Sequence, residues 1–384
     1  MNSKRQVLNG IIAILLLISL ISIDFVFADD NGFSKEVEYV ALSFMNNSTG
    51  AEYEVRKVTR LYDFLGNVTA YCVSTAINDS PSGYVLFSLL TDKDPIVEFS
   101  FDGIGLIDSI NIVYGGKVLI KSEDQYLYLG PDLLFVKDND NLKYLDIFTG
   151  VEYTYSDIES MFGDATVQNR DYDNGGGIMP SAAASVLNSS IYKITGFDSP
   201  YYFWRISDLD PNNGNTCSPT CATNIIWYWA IKRGCSWVQP YSYSTNIDNA
   251  RAVFAAMKLA MGTSGTNGTA DSMIPTGYSD YFEIVCGGDN YSITNVVNNS
   301  YSSFVDALDD NCPIHVMLRP NSSPFCLGHD VMAYGYAEST TGTEYLMVMD
   351  GWNADYRILQ FSYYTYDTRL IKGHKIWIGE SAYE

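Results

Sequence analysis

The chain is poor in histidine and in basic residues. Only three histidines occur among 384 residues, so candidates for a catalytic base or an imidazole metal ligand are few. Lysine and arginine total 23 against 45 acidic residues, which gives a formal net charge of −22. A surface this acidic repels phosphate backbones, so nucleic acid is not an expected partner. No second clustered ligand pair accompanies the closely spaced cysteines, so neither a metal nor another cofactor is expected.

Long apolar runs are also scarce, and the only one of spanning length lies at the N-terminus. Two basic residues precede an apolar stretch from Val7 to about Ile23, and Val26-Phe27-Ala28 follows as a cleavage motif. This order predicts a secretory signal peptide over residues 1–28. An uncleaved membrane anchor is the alternative, because the run approaches spanning length. We expect the remainder to have no membrane partner and to be secreted or extracellular, with cell-surface attachment left open.

The length of the chain allows two domains plus processing segments. Residues 29–170 contain helical spacing at 34–48, with Ser34 as a candidate N-cap, and then short alternating runs that predict an antiparallel sheet. Small flexible residues over 171–190 predict a linker with a processing site, or alternatively a surface loop in one large domain. Residues 191–384 form the second predicted domain, and the fold class is α+β for both.

Seven cysteines follow the predicted signal peptide. An odd number in an exported chain leaves at least one thiol unpaired, unless it bonds another molecule. A catalytic thiol would explain the odd count.

The most informative segment surrounds Cys217. Pro219 suits the first turn of a helix, and apolar residues then recur at helical spacing until about Arg233-Gly234. Cys217 should therefore lie at the N-terminal end of a buried helix, where N–H groups and the helix dipole favour a thiolate and can bind an oxyanion. Cys221 is expected to pack as a small hydrophobe. Core or disulfide cysteines, or a Cys-x-x-x-Cys metal site, are the alternatives.

A predicted hairpin brings His329 near Asp350. His329 begins a strand-like run, Ser339–Thr343 reads as a turn, and the returning strand ends at Asp350. The carboxylate would fix the orientation of the imidazole, whose other nitrogen could accept a thiol proton. A structural histidine is the alternative. His315 looks like a sheet residue, and neither it nor His374 is expected to be catalytic.

Three segments resemble papain-like cysteine peptidases, and most closely the C-x-P-T group related to bacteriocin-leader peptidases. They are Cys217-Ser218-Pro219-Thr220, Gly328-His329 and Asp350-Gly351-Trp352. The resemblance implies a papain-like fold, with a helical part and an antiparallel sheet. It also implies a triad of Cys217 as nucleophile, His329 as base and Asp350 as the orienting acid.

One position departs from the pattern of these relatives. They place a glutamine six residues before the nucleophile as an oxyanion donor, and that position here is Pro211. Asn212 is our candidate substitute in the oxyanion hole, with Asn213 and Asn215 as alternatives.

The N-terminal half resembles the pro-domains of streptopain-like peptidases. The matching pieces are the helix around Val40–Phe44, then Ala70-Tyr71, Gly83–Ser88 and Pro95–Ser100. The resemblance implies a secreted endopeptidase made as a zymogen, with residues 29–170 as its own inhibitor and a protein or peptide as substrate. An acyl transferase or deamidase on the same fold, and a non-catalytic secreted surface-binding protein, are the alternatives.

Overall fold

The computed structural model describes residues 30–90, 94–108, 125–130, 133–138, 143–147, 151–162, 186–188, 191–197, 203–211, 215–288, 290–320, 328–352, 355–361 and 369–379. These residues form a mixed α/β structure in which helices pack against one large sheet. The predicted signal peptide lies outside this set, as do residues 171–185 of the predicted linker. None of the helices within it is long and apolar enough to cross a membrane.

The N-terminal region contains one long helix followed by a series of strands. Helix α1 (Asp30–Thr49) includes the predicted helix, and its apolar face is buried at Val37, Val40, Ala41 and Phe44. It begins before Ser34, so the expected N-cap is wrong. The elements that follow are β1 (Glu54–Tyr62), β2 (Val68–Ile77), β3 (Ser80–Ser88), β4 (Ile96–Ser100), β5 (Gln125–Gly130), β6 (Leu133–Asp138), β7 (Lys143–Asp146), β8 (Glu152–Thr154) and α2 (Tyr155–Phe162).

The C-terminal region places its helices first and most of its strands afterwards. The elements are β9 (Tyr192–Lys193), α3 (Ile206–Leu209), α4 (Cys217–Trp227), α5 (Asn246–Ala260), α6 (Met273–Asp280), β10 (Tyr291–Val296), α7 (Tyr301–Asp309), β11 (Ile314–Pro320), β12 (His329–Glu338), β13 (Glu344–Met349), β14 (Arg357–Gln360) and β15 (Arg369–Ile378). A π-helical turn (Tyr228–Lys232) extends α4, a 3₁₀ turn (Ser236–Val238) follows it, and a second π-helical turn (Tyr281–Cys286) extends α6.

The strands of both regions form one continuous sheet. Its order is β10-β15-β11-β12-β13-β14-β4-β3-β2-β1-β5-β6-β7-β8, and β9 pairs with β12. The predicted antiparallel pairing of the N-terminal strands holds except where β1 and β5 run parallel. The β12–β13 hairpin turns at residues 339–343, as predicted.

The two regions meet where β4 pairs with β14. Glu98 lies opposite Leu359 and Phe99 opposite Ile358. Phe99 also packs edge-on against Tyr345 of β13, with ring centroids 5.3 Å apart, and both rings are fully buried. The N-terminal region therefore shares hydrogen bonds and a hydrophobic core with the C-terminal region.

Candidate active site

Cys217 is the first residue of α4, and every residue after it in this helix is buried. The helix is held in place at its middle by Asn224, whose amide bonds both the N–H and the carbonyl of Trp204, at 2.8 and 3.0 Å. Helix α4 also packs against β12, the strand that begins at His329. The half-buried Cys217 thus lies at a helix N-terminus, as the sequence predicted.

The surroundings of the Cys217 sulfur keep it protonated in this state. Burial, and after it the nearby Asp330 carboxylate, raise the pKa of the thiol to about 12. The Arg319 guanidinium and the main-chain N–H groups of Asp330 and Ser218 act in the opposite direction. The N–H group of Asp330 belongs to the residue after His329, so Cys217 lies close to the start of β12.

His329 is 4% exposed and makes two well-defined contacts. Its Nε2 donates to the main-chain carbonyl of Asp350 at 2.6 Å, which leaves the lone pair of the neutral ring on Nδ1. Its ring stacks on Trp352 with the centroids 3.5 Å apart and the planes at 10°. Burial lowers the pKa of His329 to about 3, so the ring is neutral.

The segment Asp350-Gly351-Trp352 forms the turn that places these groups. The Asp350 carboxylate accepts a hydrogen bond from the N–H of Trp352 at 2.8 Å, and Gly351 adopts the left-handed φ of 77°. We expected the Asp350 carboxylate beside His329. The hydrogen bond between the two residues is instead made by the Asp350 carbonyl, while the carboxylate contacts Trp352 and Arg357.

A buried ion pair links this turn to the N-terminal region. Arg357, 3% exposed, binds both oxygens of the fully buried Glu98, with Nε–Oε1 and Nη2–Oε2 distances of 2.8 Å. Its Nη1 lies 3.2 Å from Asp350 Oδ2. Tyr84 donates a further hydrogen bond to Glu98. Glu98 of the N-terminal region is therefore linked through Arg357 to Asp350, the residue that bonds His329.

The candidate oxyanion donors surround the start of α4. Asn212 and Asn213 lie outside the described residues. The amide of Asn215 donates to the carbonyl of Gly265 at 2.8 Å. The N–H groups at the start of α4, next to the sulfur, are the donors that the described residues offer.

The other candidate side chains occupy structural positions. His315 and His374 are cross-strand neighbours on β11 and β15, and Cys221 is 3% exposed inside the core. The six described cysteines are all free thiols; Cys326 lies outside the described residues. Within the described ranges, no group of three or more potential ligands is arranged to hold a metal.

Four charged residues near the site were missed by the analysis of the sequence: Glu98, Arg319, Asp330 and Arg357. Glu98 carried a usable signal, because it interrupts the apolar run Ile96-Val97-Glu98-Phe99 and so must be buried with a partner. Asp330 carried another, because it follows His329 in a run that is otherwise apolar and aromatic. Their arginine partners are distant in sequence and carried none.

Comparison with known proteins identifies the class of protein. The Peptidase_C39 like family matches residues 197–369, slightly less than half of the chain, and this range includes Cys217, His329 and Asp350. The match supports a cysteine-type peptidase. A structure of the bromelain protease from Ananas comosus in complex with an inhibitor is 15% identical, with a TM-score of 0.27, and the match covers 49% of this chain and 99% of that one. A recombinant stem bromelain precursor is 16% identical, with a TM-score of 0.24, and that match covers 49% of this chain and 78% of the precursor. None of the curated proteins compared with the chain matches it.

Proposed function

We propose that this cysteine-type peptidase is a secreted endopeptidase made as a zymogen, with Cys217 as nucleophile, His329 as base and Asp350 as the residue that orients the base. One observation carries the proposal. The sulfur at the start of α4 lies against the first residues of β12, within the segment that matches a peptidase family. The imidazole at that point is fixed on one side by a carbonyl and on one face by an indole.

The geometry gives each nitrogen of His329 its task. Because Nε2 donates to the Asp350 carbonyl, Nδ1 is the nitrogen that can take the Cys217 proton. The thiolate adds to a peptide carbonyl, and the resulting oxyanion accepts hydrogen bonds from N–H groups at the start of α4. The C–N bond then breaks as His329 returns the proton to the leaving amine. Water, deprotonated by His329, hydrolyses the resulting thioester, and the thiol re-forms.

Residues 29–170 are proposed to be the inhibitor of this site. Leu106 and Ile107 share a buried cluster with Ile206 and Trp352, and Cys217 packs against the same cluster. With this cover in place, burial favours the neutral thiol and the neutral imidazole over the thiolate–imidazolium pair, in which the sulfur is nucleophilic. Removing the cover would readmit water and lower the cost of forming the thiolate–imidazolium pair.

The remaining parts of the proposal concern export and processing. Residues 1–28 would direct secretion, and cleavage within 171–190 would separate the inhibitor from the catalytic region 191–384. The substrate would be a protein or peptide. The described end of the linker region is fixed to the β12–β13 turn, where Asn188 donates to the carbonyl of Ser339 at 2.8 Å. This contact supports a cleavage site upstream of residue 186.

The test uses the chain without residues 1–28 and its Cys217→Ala variant. Both are incubated with a tagged thiol-directed peptidase inhibitor, and the label is located by mass spectrometry while cleavage within 171–190 is followed. Label on Cys217, with both label and cleavage lost in the variant, supports a self-processing peptidase. Label without cleavage assigns processing to another protease. Absence of label after the linker is cut deliberately refutes the catalytic role, and products that appear only with an added amine indicate an acyl transferase.

A further inference from the structure

A second buried ion pair, between Asp330 and Arg319, lies close to Cys217. The carboxylate of Asp330, 2% exposed, accepts a hydrogen bond from the Ser218 hydroxyl and contacts Arg319 Nη2 at 2.6 Å. Ser218 follows Cys217 in α4, and Asp330 follows His329 in β12. This one carboxylate therefore ties the residue after the nucleophile to the residue after the base.

Arg319 holds the same strand from β11. Its Nη1 donates to the carbonyl of His329 at 3.2 Å, and its Nε donates to Asp271 at 2.9 Å. The space that it occupies depends on Gly328, because a Cβ at that position would lie 2.3 Å from Arg319 Cδ. A guanidinium with several donors in a fixed plane suits this task better than an ammonium group.

The two charges act in opposite directions on the sulfur. After burial, the Asp330 carboxylate is the largest cause that raises the pKa of Cys217, and Arg319 is the largest that lowers it. Burial also raises the pKa of Asp330, but Arg319, His315 and Ser218 outweigh it and hold that pKa well below its usual value. Asp330 is thus ionised, and without Arg319 it would be an uncompensated negative charge beside the nucleophile.

The other charged and titratable groups around the pair are fixed as well. Asp271, the second partner of Arg319, is bound by Lys372 at 2.8 Å. Nε2 of His315 lies 3.7 Å from Asp330, and its Nδ1 lies 3.1 Å from the Tyr278 hydroxyl. Burial lowers the pKa of His374, the cross-strand neighbour of His315, to about 4, so it stays neutral above pH 6.

We propose that Asp330 and Arg319 are positioning residues of the catalytic site: Asp330 fixes α4 to the start of β12, and Arg319 neutralises the charge that this places beside Cys217. The inference rests on the proposed function in that it assigns roles around the same nucleophile. It explains why a carboxylate that opposes thiolate formation lies beside Cys217. Asp330 positions α4 against β12, and the charge of Arg319 offsets its unfavourable effect on the thiolate.

The test measures Cys217 alkylation by iodoacetamide in the full chain without residues 1–28, at pH 8, by peptide mass spectrometry. Because only the thiolate reacts, each unit of pKa changes the rate about tenfold. Arg319→Gln should react at least tenfold more slowly than the wild type, and Asp330→Asn at least tenfold faster. The double variant should lie between the two single variants. Arg319→Lys, which keeps the charge, should recover most of the rate.

A purely structural role predicts a different order, because unfolding exposes the thiol and accelerates alkylation in every variant. Equal rates, or faster alkylation in both single variants when circular dichroism shows them folded, would overturn the proposal. Should Arg319→Gln fail to fold, the comparison of Asp330→Asn with the double variant decides: the added substitution must slow alkylation. Alkylation does not require peptide hydrolysis, so the two hypotheses can fail separately. If the variants hydrolyse peptides but their alkylation rates do not follow the expected order, only the roles of Asp330 and Arg319 are rejected. If the rates follow the expected order but no peptide is hydrolysed, only the proposed peptidase function is rejected.

Discussion

Replacement of Glu98 by glutamine tests whether the N-terminal region inhibits the site through Arg357. Glutamine keeps the size of the side chain and one acceptor oxygen but removes the charge that binds the buried guanidinium through two 2.8 Å contacts. Removing one partner of a buried ion pair costs about 3–5 kcal/mol. Because Asp350 still lies 3.2 Å from Arg357 and compensates part of its charge, we expect a cost of about 3 kcal/mol, the lower end of that range.

This cost falls on the covered state, because Arg357 and Glu98 meet only when β4 is paired with β14. A change of about 3 kcal/mol raises the population of the uncovered state about 100-fold. In the covered state, a thiol with a pKa of about 12 contains very little thiolate at neutral pH, and alkylation of Cys217 proceeds mainly through uncovered molecules. The alkylation rate of Cys217 in the uncut chain should therefore rise about 100-fold in Glu98→Gln.

Two internal controls separate uncovering from general unfolding. Glu54→Gln makes the same substitution on an exposed strand position of the same region and should leave the rate unchanged. Cys312, which is fully buried in the C-terminal region, reports on unfolding of that region and should keep its slow alkylation. If Cys217 reacts within threefold of the wild-type rate in Glu98→Gln, or if Cys312 accelerates in parallel, the ion pair does not control access to the site.

Two further predictions concern the histidine and its ring partner. Trp352→Ala removes a buried ring that stacks on His329, so it should lower the free energy of unfolding by about 3–5 kcal/mol and reduce kcat in the processed enzyme. Urea unfolding measures the first effect and peptide hydrolysis the second, and Trp377→Ala, at a half-exposed tryptophan, is the control. An unchanged kcat in Trp352→Ala would contradict a role of the stacking in catalysis. His329 and His374 have pKa values lowered by burial from 6.5 to about 3 and about 4, so the unfolded state binds more protons below pH 6.5 and stability falls with falling pH. Each should contribute about 1.4 kcal/mol per pH unit between pH 6.5 and 4.5, and urea unfolding of His329→Gln should show a slope smaller by that amount.

Local patterns were enough to predict the elements that carry the site. The apolar spacing after Pro219 predicted a helix that starts close to Cys217, and the structure begins α4 at that residue. The turn between the strands of the His329 hairpin was equally local, because polar and glycine residues interrupt two apolar runs. Such features depend on neighbours within a few residues, which the sequence displays directly.

Contacts between distant segments could not be derived in this way. His329 bonds the carbonyl of Asp350 rather than its carboxylate. This depends on the left-handed turn at Gly351 and on Arg357, which binds the Asp350 carboxylate instead. The joining of β4 to β14 places residues about 260 positions apart in one sheet, and no periodicity specifies which sheet edges meet. The sequence therefore predicted that Cys217 and His329 lie at the starts of a helix and a strand, but not which groups surround them.

The two buried ion pairs would have different consequences if the linker were cut as proposed. Arg319 and Asp330 belong to β11 and β12, so their contact with Ser218 and the start of α4 survives removal of the N-terminal region. Arg357 would lose Glu98 and keep Asp350, so its charge would then act on the turn that holds His329. Cutting the chain does not by itself break the β4–β14 pairing or the packing of Phe99 on Tyr345. In the proposed zymogen, activation by processing would therefore need a second step, in which the shared sheet and core separate. The Glu98–Arg357 pair is the contact whose loss would couple that separation to His329, the proposed base.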